Sequence, residues 1–241
     1  MRLKDKIAVV TGGTRGLGKA VADAFAAEGC HVVRAARTGV ARTGPGEDGA
    51  FHPVDVRDPE SVRALMAGVA DRFGGLDIVV ANAGVSRPGP VRALTADDWA
   101  DVVGTNLTGV FTCVSAALPY LEKSPAGRII TMSSALGTRP VPGASAYAAS
   151  KAGVEMLTRV LALEAAASGV TVNCLSPGFI DAGMGRLLAA NEQVWPRYRA
   201  ALASGRMGTA EEVAAAAVFL AGADSSYVNG HVLEVNGGLR W

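Results

Sequence analysis

Ile7-Ala8-Val9-Val10-Thr11-Gly12-Gly13-Thr14-Arg15-Gly16-Leu17-Gly18 passes without a break from a short apolar run into a glycine-rich turn. The run predicts a buried strand, and the alanine-rich stretch after Gly18 predicts a helix that opens at the turn. In that setting glycine lets the chain turn tightly, lets a pyrophosphate approach the backbone and lets the helix pack closely on the sheet. The helix N-terminus meanwhile favours an anion. The spacing is TGxxxGxG rather than GxGxxG, and by itself the turn also reads as a tight structural connection.

Working outward, β-rich runs keep alternating with alanine-rich helical stretches, the pattern of a parallel sheet covered by helices on both faces. The expected strands are 7–11, 31–35, 50–54, 77–81, 128–132, 170–175 and 232–235. Asp58-Pro59 predicts a capped helix start, and Thr95 to Asp98 and Thr209 to Glu212 predict capping boxes. Two segments break the alternation. Thr38 to Gly49 is rich in glycine where a crossover helix is expected, which predicts a loop. Ala182 to Met207, interrupted at Trp195-Pro196, reads as an inserted lid.

Composition narrows the classes. With 241 residues, 49% hydrophobic content and a mean hydropathy of +0.26, the chain can bury a large core. A net charge of +1 gives no field for nucleic acid or an anionic membrane. Cys30, Cys113 and Cys174 have no zinc or disulfide spacing and read as reduced packing residues of a cytoplasmic protein. The apolar runs at Ile7 to Val10 and Val213 to Ala223 are too short for a signal-peptide core and a membrane span respectively.

The chemistry concentrates in Ser145-Ala146-Tyr147-Ala148-Ala149-Ser150-Lys151. On a helix, positions i and i+4 share a face, so the Lys151 ammonium lies near the Tyr147 phenol. At ~5 Å and an effective dielectric of ~20, that charge favours the phenolate by roughly 3 kcal/mol before desolvation. Tyr147 then becomes a usable acid or base near neutrality. Ser134 closes the fifth expected strand, and Asn106 interrupts a helical pattern in Thr105-Asn106-Leu107-Thr108-Gly109.

Taken together, Thr11 to Gly18, Asn82-Ala83-Gly84, Asn106, Ser134, Tyr147-x-x-x-Lys151 and Pro177-Gly178 resemble the short-chain dehydrogenase/reductases over nearly the whole chain. The closing stretch from Arg206-Met207-Gly208 to Asn236-Gly237-Gly238 is similar to the 3-oxoacyl-[acyl-carrier-protein] reductases within that family. The resemblance implies one α/β Rossmann-fold domain over 1–241, with a seven-stranded parallel sheet in the order 3-2-1-4-5-6-7. It also implies a catalytic set of Asn106, Ser134, Tyr147 and Lys151. Ser134 would bind the substrate carbonyl, with Ser133 the less favoured partner by family spacing. Tyr147 would exchange the proton, and Asn106 would hold a water linking Lys151 to solvent. The implied cofactor contacts are Gly12, Thr14, Arg15, Gly16, Leu17, Arg37, Asp55, Val56, Asn82, Ala83, Gly84, Tyr147, Lys151, Pro177, Gly178 and Ile180, with no metal. Many relatives have threonine where this chain has Ala182, so one anchor for the nicotinamide amide is missing.

The resemblance also locates the choice of cofactor. NAD-specific relatives end the second strand with an acidic residue, which here is Ala36, followed by Arg37. That exchange, with Arg15 and Arg42 as further candidates, implies NADP(H). The implied substrate is a small-molecule ketone, best a 3-oxoacyl thioester on acyl carrier protein or coenzyme A. A sugar, polyol or polycyclic alcohol is the alternative, and a cofactor-sensing protein a third reading. Relatives that use a carrier protein often have arginine where Ser168 stands and basic residues near Pro125. Arg139, Arg186, Arg197 and Arg199 offer another basic patch or ordinary surface charge. A homotetramer is implied, with 107–121 and 147–167 as dimer faces and Leu239-Arg240-Trp241 reaching a neighbouring subunit.

Overall fold

β1 (Ile7–Thr11) pairs in parallel with β2 (His31–Ala36) on one side and β4 (Ile78–Ala81) on the other. A computed structural model describes residues 1–38, 50–193 and 195–240. In it, β3 (Ala50–Pro53), β5 (Arg128–Met132), β6 (Thr171–Pro177) and β7 (Val232–Val235) complete a seven-stranded sheet of order β3-β2-β1-β4-β5-β6-β7, as the sequence implied. All its pairings are parallel. Most of the proposed crossover loop, and Arg42 with it, lies outside the described residues.

Strand side chains alternate between two cores. Val9, Val33, Ile129 and Val172 pack under α2 (Pro59–Phe73), α4 (Gly109–Leu121) and α5 (Ser145–Glu164). Ala8, Val10, Val32, Ile130 and Leu175 pack under α1 (Gly16–Ala27) and α8 (Ala210–Ala221). The expected caps form. Asp58 accepts from Glu60 N, while Thr95 and Thr209 head reciprocal capping boxes with Asp98 and Glu212.

α3 (Ala96–Val103) runs into α4 through a π turn, Gly104–Thr108, which contains Asn106. The continuous helix is long and apolar enough to cross a bilayer. Its apolar side is spent on the sheet, however, because Val110, Cys113, Val114, Ala117 and Leu121 are core residues.

β6 continues two residues beyond the expected end and carries Ser176 and Pro177 into pairing with Glu234 and Val235. Beyond it stand the short helices α6 (Met184–Ala189) and α7 (Trp195–Arg199). The far side of this segment is anchored: Ala201 and Leu202 join Ala135 and Leu239 in a small apolar cluster with Phe179, Trp195 and Met207. Leu239 bridges Leu202 and Arg240 N donates to Ala201 O at 2.8 Å. Leu239 and Arg240 are thus tied to Ala201 and Leu202 of their own chain, and Trp241 lies outside the described residues.

Candidate active site

The glycine-rich turn is built around Asn82. Its amide Nδ2 donates to Thr11 O at 2.9 Å and approaches Gly12 O at 3.4 Å, while Thr11 Oγ1 accepts from Asn82 N and Ala83 N. A Cβ on Gly18 would lie 2.3 Å from Gly12 O and 2.4 Å from Asn82 Nδ2, so only glycine lets α1 sit this close to the turn. Gly12 and Gly16 take φ of +65° and +54°, the left-handed region that glycine enters freely. Asn82 is therefore turned inward, tying the end of β4 to the turn.

α1 differs at its start from α2, α3 and α8. Its N-cap is Arg15, which supplies no side-chain acceptor, and its first turn has no acidic residue. The first N–H groups of a helix lack intrahelical partners and carry partial positive charge. An uncapped, glycine-flanked N-terminus of this kind fits a dinucleotide's pyrophosphate. Leu17 packs against the second core, Thr14 Oγ1 lies 3.4 Å from Thr38 O, and Arg15 and Arg37 are exposed beside the turn.

Asp55 is committed locally. Its carboxylate takes Arg57 Nη2 at 2.7 Å and Arg57 N at 3.0 Å. Hydrogen bonds from Arg57, with the more distant charge of Arg37, hold it below the usual carboxylate range. Val56 is buried with its side chain against Gly109.

At the C-terminal end of β5 the implied catalytic groups come together. The Ser134 hydroxyl lies near enough to the Tyr147 phenol to oppose the effect of its burial, and Lys151 Nζ lies 5.7 Å from the centroid of the Tyr147 ring. The expected lowering of the phenol by Lys151 does not occur in the isolated chain. Burial raises Tyr147 above its ordinary pKa, and the opposing influence is the Ser134 hydroxyl. The reason is the position of the ammonium. Lys151 is buried, donates to Met132 O at 2.6 Å, and is itself pushed down to about 8 by burial.

Ser133 is occupied elsewhere, donating to Glu155 Oε1 at 2.8 Å and lying 3.1 Å from Lys151 O. Asn106 is wholly buried. Its Oδ1 accepts from Val85 N at 2.8 Å, and its Nδ2 donates to Val85 O and Ser150 Oγ. A Cβ on Gly84 would sit 3.4 Å from Asn106 Oδ1 and 3.7 Å from Lys151 Nζ, so both groups border one small space.

Opposite them, Gly178 N donates to Val235 O at 3.0 Å, and the buried Ile180 is bridged to Gly208. The backbone of Pro177 to Ile180 therefore forms a fixed wall beside Ser134. Ala182 packs against the second core with no hydroxyl to offer. The proposed basic patch is divided, since Arg139 pairs with Glu234 and Arg186 with Asp181.

A family model described as Enoyl-(Acyl carrier protein) reductase matches residues 12–240. The chain is 39% identical to the 3-oxoacyl-[acyl-carrier-protein] reductase FabG of Vibrio cholerae, an alignment covering 99% of each protein. It is 37% identical to FabG of Escherichia coli over the same shares. The chain belongs to the short-chain dehydrogenase/reductase family. Among solved structures, levodione reductase superposes with a TM-score of 0.90 at 32% identity, covering 98% of each chain. The aldohexose dehydrogenase of Thermoplasma acidophilum gives 0.91 at 28%, covering 98% of this chain and 94% of that one.

This short-chain dehydrogenase/reductase also has polar groups around the site that the sequence reading passed over. Ser150 links Asn106 to the carbonyl of Tyr147. Glu155, four residues beyond Lys151 on α5, is buried and holds Ser133. Its helical spacing from Lys151 was a usable signal. The part of Met132 is played by its backbone carbonyl, which side-chain type does not reveal.

Proposed function

We propose that this enzyme reduces a ketone to a secondary alcohol with NADPH, and that a 3-oxoacyl thioester is its leading substrate. The observation that carries this reading is the gathering of Ser134, at the end of β5, with Tyr147 and the buried Lys151, whose Nζ lies 5.7 Å from the Tyr147 ring. The cofactor supplies hydride to the carbonyl carbon. Ser134 orients the carbonyl oxygen by hydrogen bonding, and Tyr147 passes its proton to that oxygen as negative charge develops. Lys151 would hold the nicotinamide ribose, and its ammonium would supply positive charge on the side of Tyr147. The space bordered by Asn106 Oδ1 and Lys151 Nζ takes the water that returns the proton. α1 receives the pyrophosphate, while Arg37 and Arg15 meet the 2′-phosphate of NADPH.

Further parts of the reading concern delivery and assembly. Ser168, where carrier-dependent relatives present arginine, supplies a hydroxyl that donates to Glu122 Oε1 at 3.1 Å, so that position carries no cation. That favours a coenzyme A thioester or a small ketone over carrier-bound substrate. Likeness to levodione reductase and aldohexose dehydrogenase supports cyclic ketones and sugars as the second substrate class. The enzyme is cytoplasmic and tetrameric, forms one domain over 1–241, and uses 182–207 as a substrate lid. NADPH oxidation measured with acetoacetyl-coenzyme A, its carrier-bound counterpart, a cyclic diketone and an aldohexose tests the assignment. The highest kcat/KM is expected with a thioester, and turnover of the sugar alone would overturn it.

A further inference from the structure

The loop that leaves β5 carries Ser134 past the end of the sheet ladder. Ser133 N still donates to Leu175 O at 2.8 Å, but Ser134 is held by short-range bonds, Leu136 N to its Oγ and Gly137 N to its carbonyl. Among the described residues, the next hydrogen bond from this loop to the β6–β7 side comes from Arg139. Its Nη1 donates to Glu234 Oε1 at 3.0 Å and its Nη2 to Glu234 Oε2 at 2.9 Å. Arg139 Nη1 is also 3.3 Å from Thr138 Oγ1, and Arg139 N donates to Ala135 O at 3.1 Å, so the guanidinium is fixed to the serine turn from both ends.

Glu234 is equally well placed on its side. It lies on β7 in register with Ser176, one residue before the Val235 carbonyl that holds Gly178. Asn236 follows, hydrogen-bonded to Glu234 and packed so closely that a Cβ on Gly178 would meet it at 2.8 Å. Exposed ion pairs are weak and Glu234 is 41% exposed, but Arg139 is only 19% exposed and the pair is bidentate, a geometry that fixes direction as well as distance. Hydrogen bonds from Arg139 hold the Glu234 carboxyl below the usual range, so the pair is charged at neutral pH.

We propose that Arg139 and Glu234 form a clamp that positions the Ser134 turn against the Pro177–Gly178 wall, setting the carbonyl acceptor in line with the hydride donor. The proposal rests on the function given above. Both are positioning residues, because they act through Ser134 and Gly178.

Three expectations follow from that role. Glu234→Gln and Arg139→Met should each lower kcat about ten- to hundredfold, as misplacement of reacting groups does, while NADPH affinity by fluorescence titration stays within about twofold. The isotope effect with NADPH deuterated at the transferred position should rise, because chemistry becomes slower relative to product release. The double variant should be no slower than the worse single variant, since both remove one interaction.

Hydrogen exchange gives a readout that needs no substrate. Either variant should speed exchange in 135–140 and 177–181 together. Unchanged kcat, a fall in kcat with an unchanged isotope effect, or faster exchange in one segment alone would overturn the clamp. A wild-type enzyme that binds NADPH but reduces no ketone would instead overturn the function, leaving the clamp to be decided by exchange.

Discussion

Replacing Tyr147 by Phe removes one oxygen from a half-buried ring and leaves the surrounding packing intact. Turnover is expected to fall by ~10²–10⁴ with cofactor affinity preserved, and steady-state kinetics beside equilibrium titration check this. Lys151 carries the opposite burden. Its folded-state pKa of about 8 lies below 10.5, so between those values the folded chain binds fewer protons than the unfolded one. Stability from this group therefore rises with pH through that window, and the cost of the buried charge is fully present below pH 8. Lys151→Met should be inactive yet more stable at pH 7 by about 1–3 kcal/mol, an advantage that shrinks toward pH 10.5 in denaturant titrations. Arg37 is the residue proposed to set cofactor choice. A charge-assisted hydrogen bond of about 1.5–3 kcal/mol makes Arg37→Ala raise the KM for NADPH roughly ten- to hundredfold, with NADH little changed. Ala36→Asp with Arg37→Ala should reverse the preference, and equal wild-type kcat/KM for the two cofactors would refute the assignment.

The proposed lid is two elements with different attachments. Met184 and Leu187 on α6 are exposed, whereas Tyr198 on α7 packs against Phe179, which also meets Trp195 edge-on at 5.8 Å. Hydrogen exchange in 184–190 is expected to slow on adding NADPH and ketone, while 198–208 stays protected throughout. Strong, unchanged protection across both would make the segment a fixed element. Single-sequence reading found this insertion because strand-to-helix alternation stops there, but its docking by Ala201 and Leu202 needed the fold. The same contrast holds elsewhere. β1 and β4 were legible because a buried parallel strand reads as a nearly unbroken apolar run, and Thr95, Asp58 and Thr209 because caps act within four residues. Asn106 was legible as an interruption, while the π turn that accommodates it was not. Arg139 read as surface charge because its partner is 95 residues away. The Tyr147 and Lys151 spacing correctly placed both on one face of α5. It could not show that Met132 O would claim the ammonium, because a backbone acceptor leaves no trace in residue type.

On the scale of the whole molecule, the cores leave apolar side chains outside. Phe111 on α4 and Met156, Val160 and Leu163 on α5 are 55%, 57%, 43% and 81% exposed, and both helices cover the same side of the sheet. Burying such exposed apolar side chains stabilises association by about 25 cal/mol per Å². A second copy supplying the same pair of helices would cover them with a self-complementary, two-fold contact. The opposite edge has its own unpartnered features: β7 is short and ends the sheet, while Tyr227 is fully exposed and Phe219 on α8 is 37% exposed. Sheet edges of this kind are commonly protected by covering. Were each face to pair with its own copy, the result would be a dimer of dimers, the assembly the family resemblance implies. Light scattering should therefore give four times the 24.5 kDa chain mass for the wild type. Met156→Glu with Leu163→Glu puts carboxylates on the α4–α5 face without touching the β7 edge or the groups around Tyr147. That variant should scatter as a dimer and keep its cofactor affinity; a wild type that is monomeric at working concentration, or a variant that stays tetrameric, would remove the α4–α5 face from the assembly.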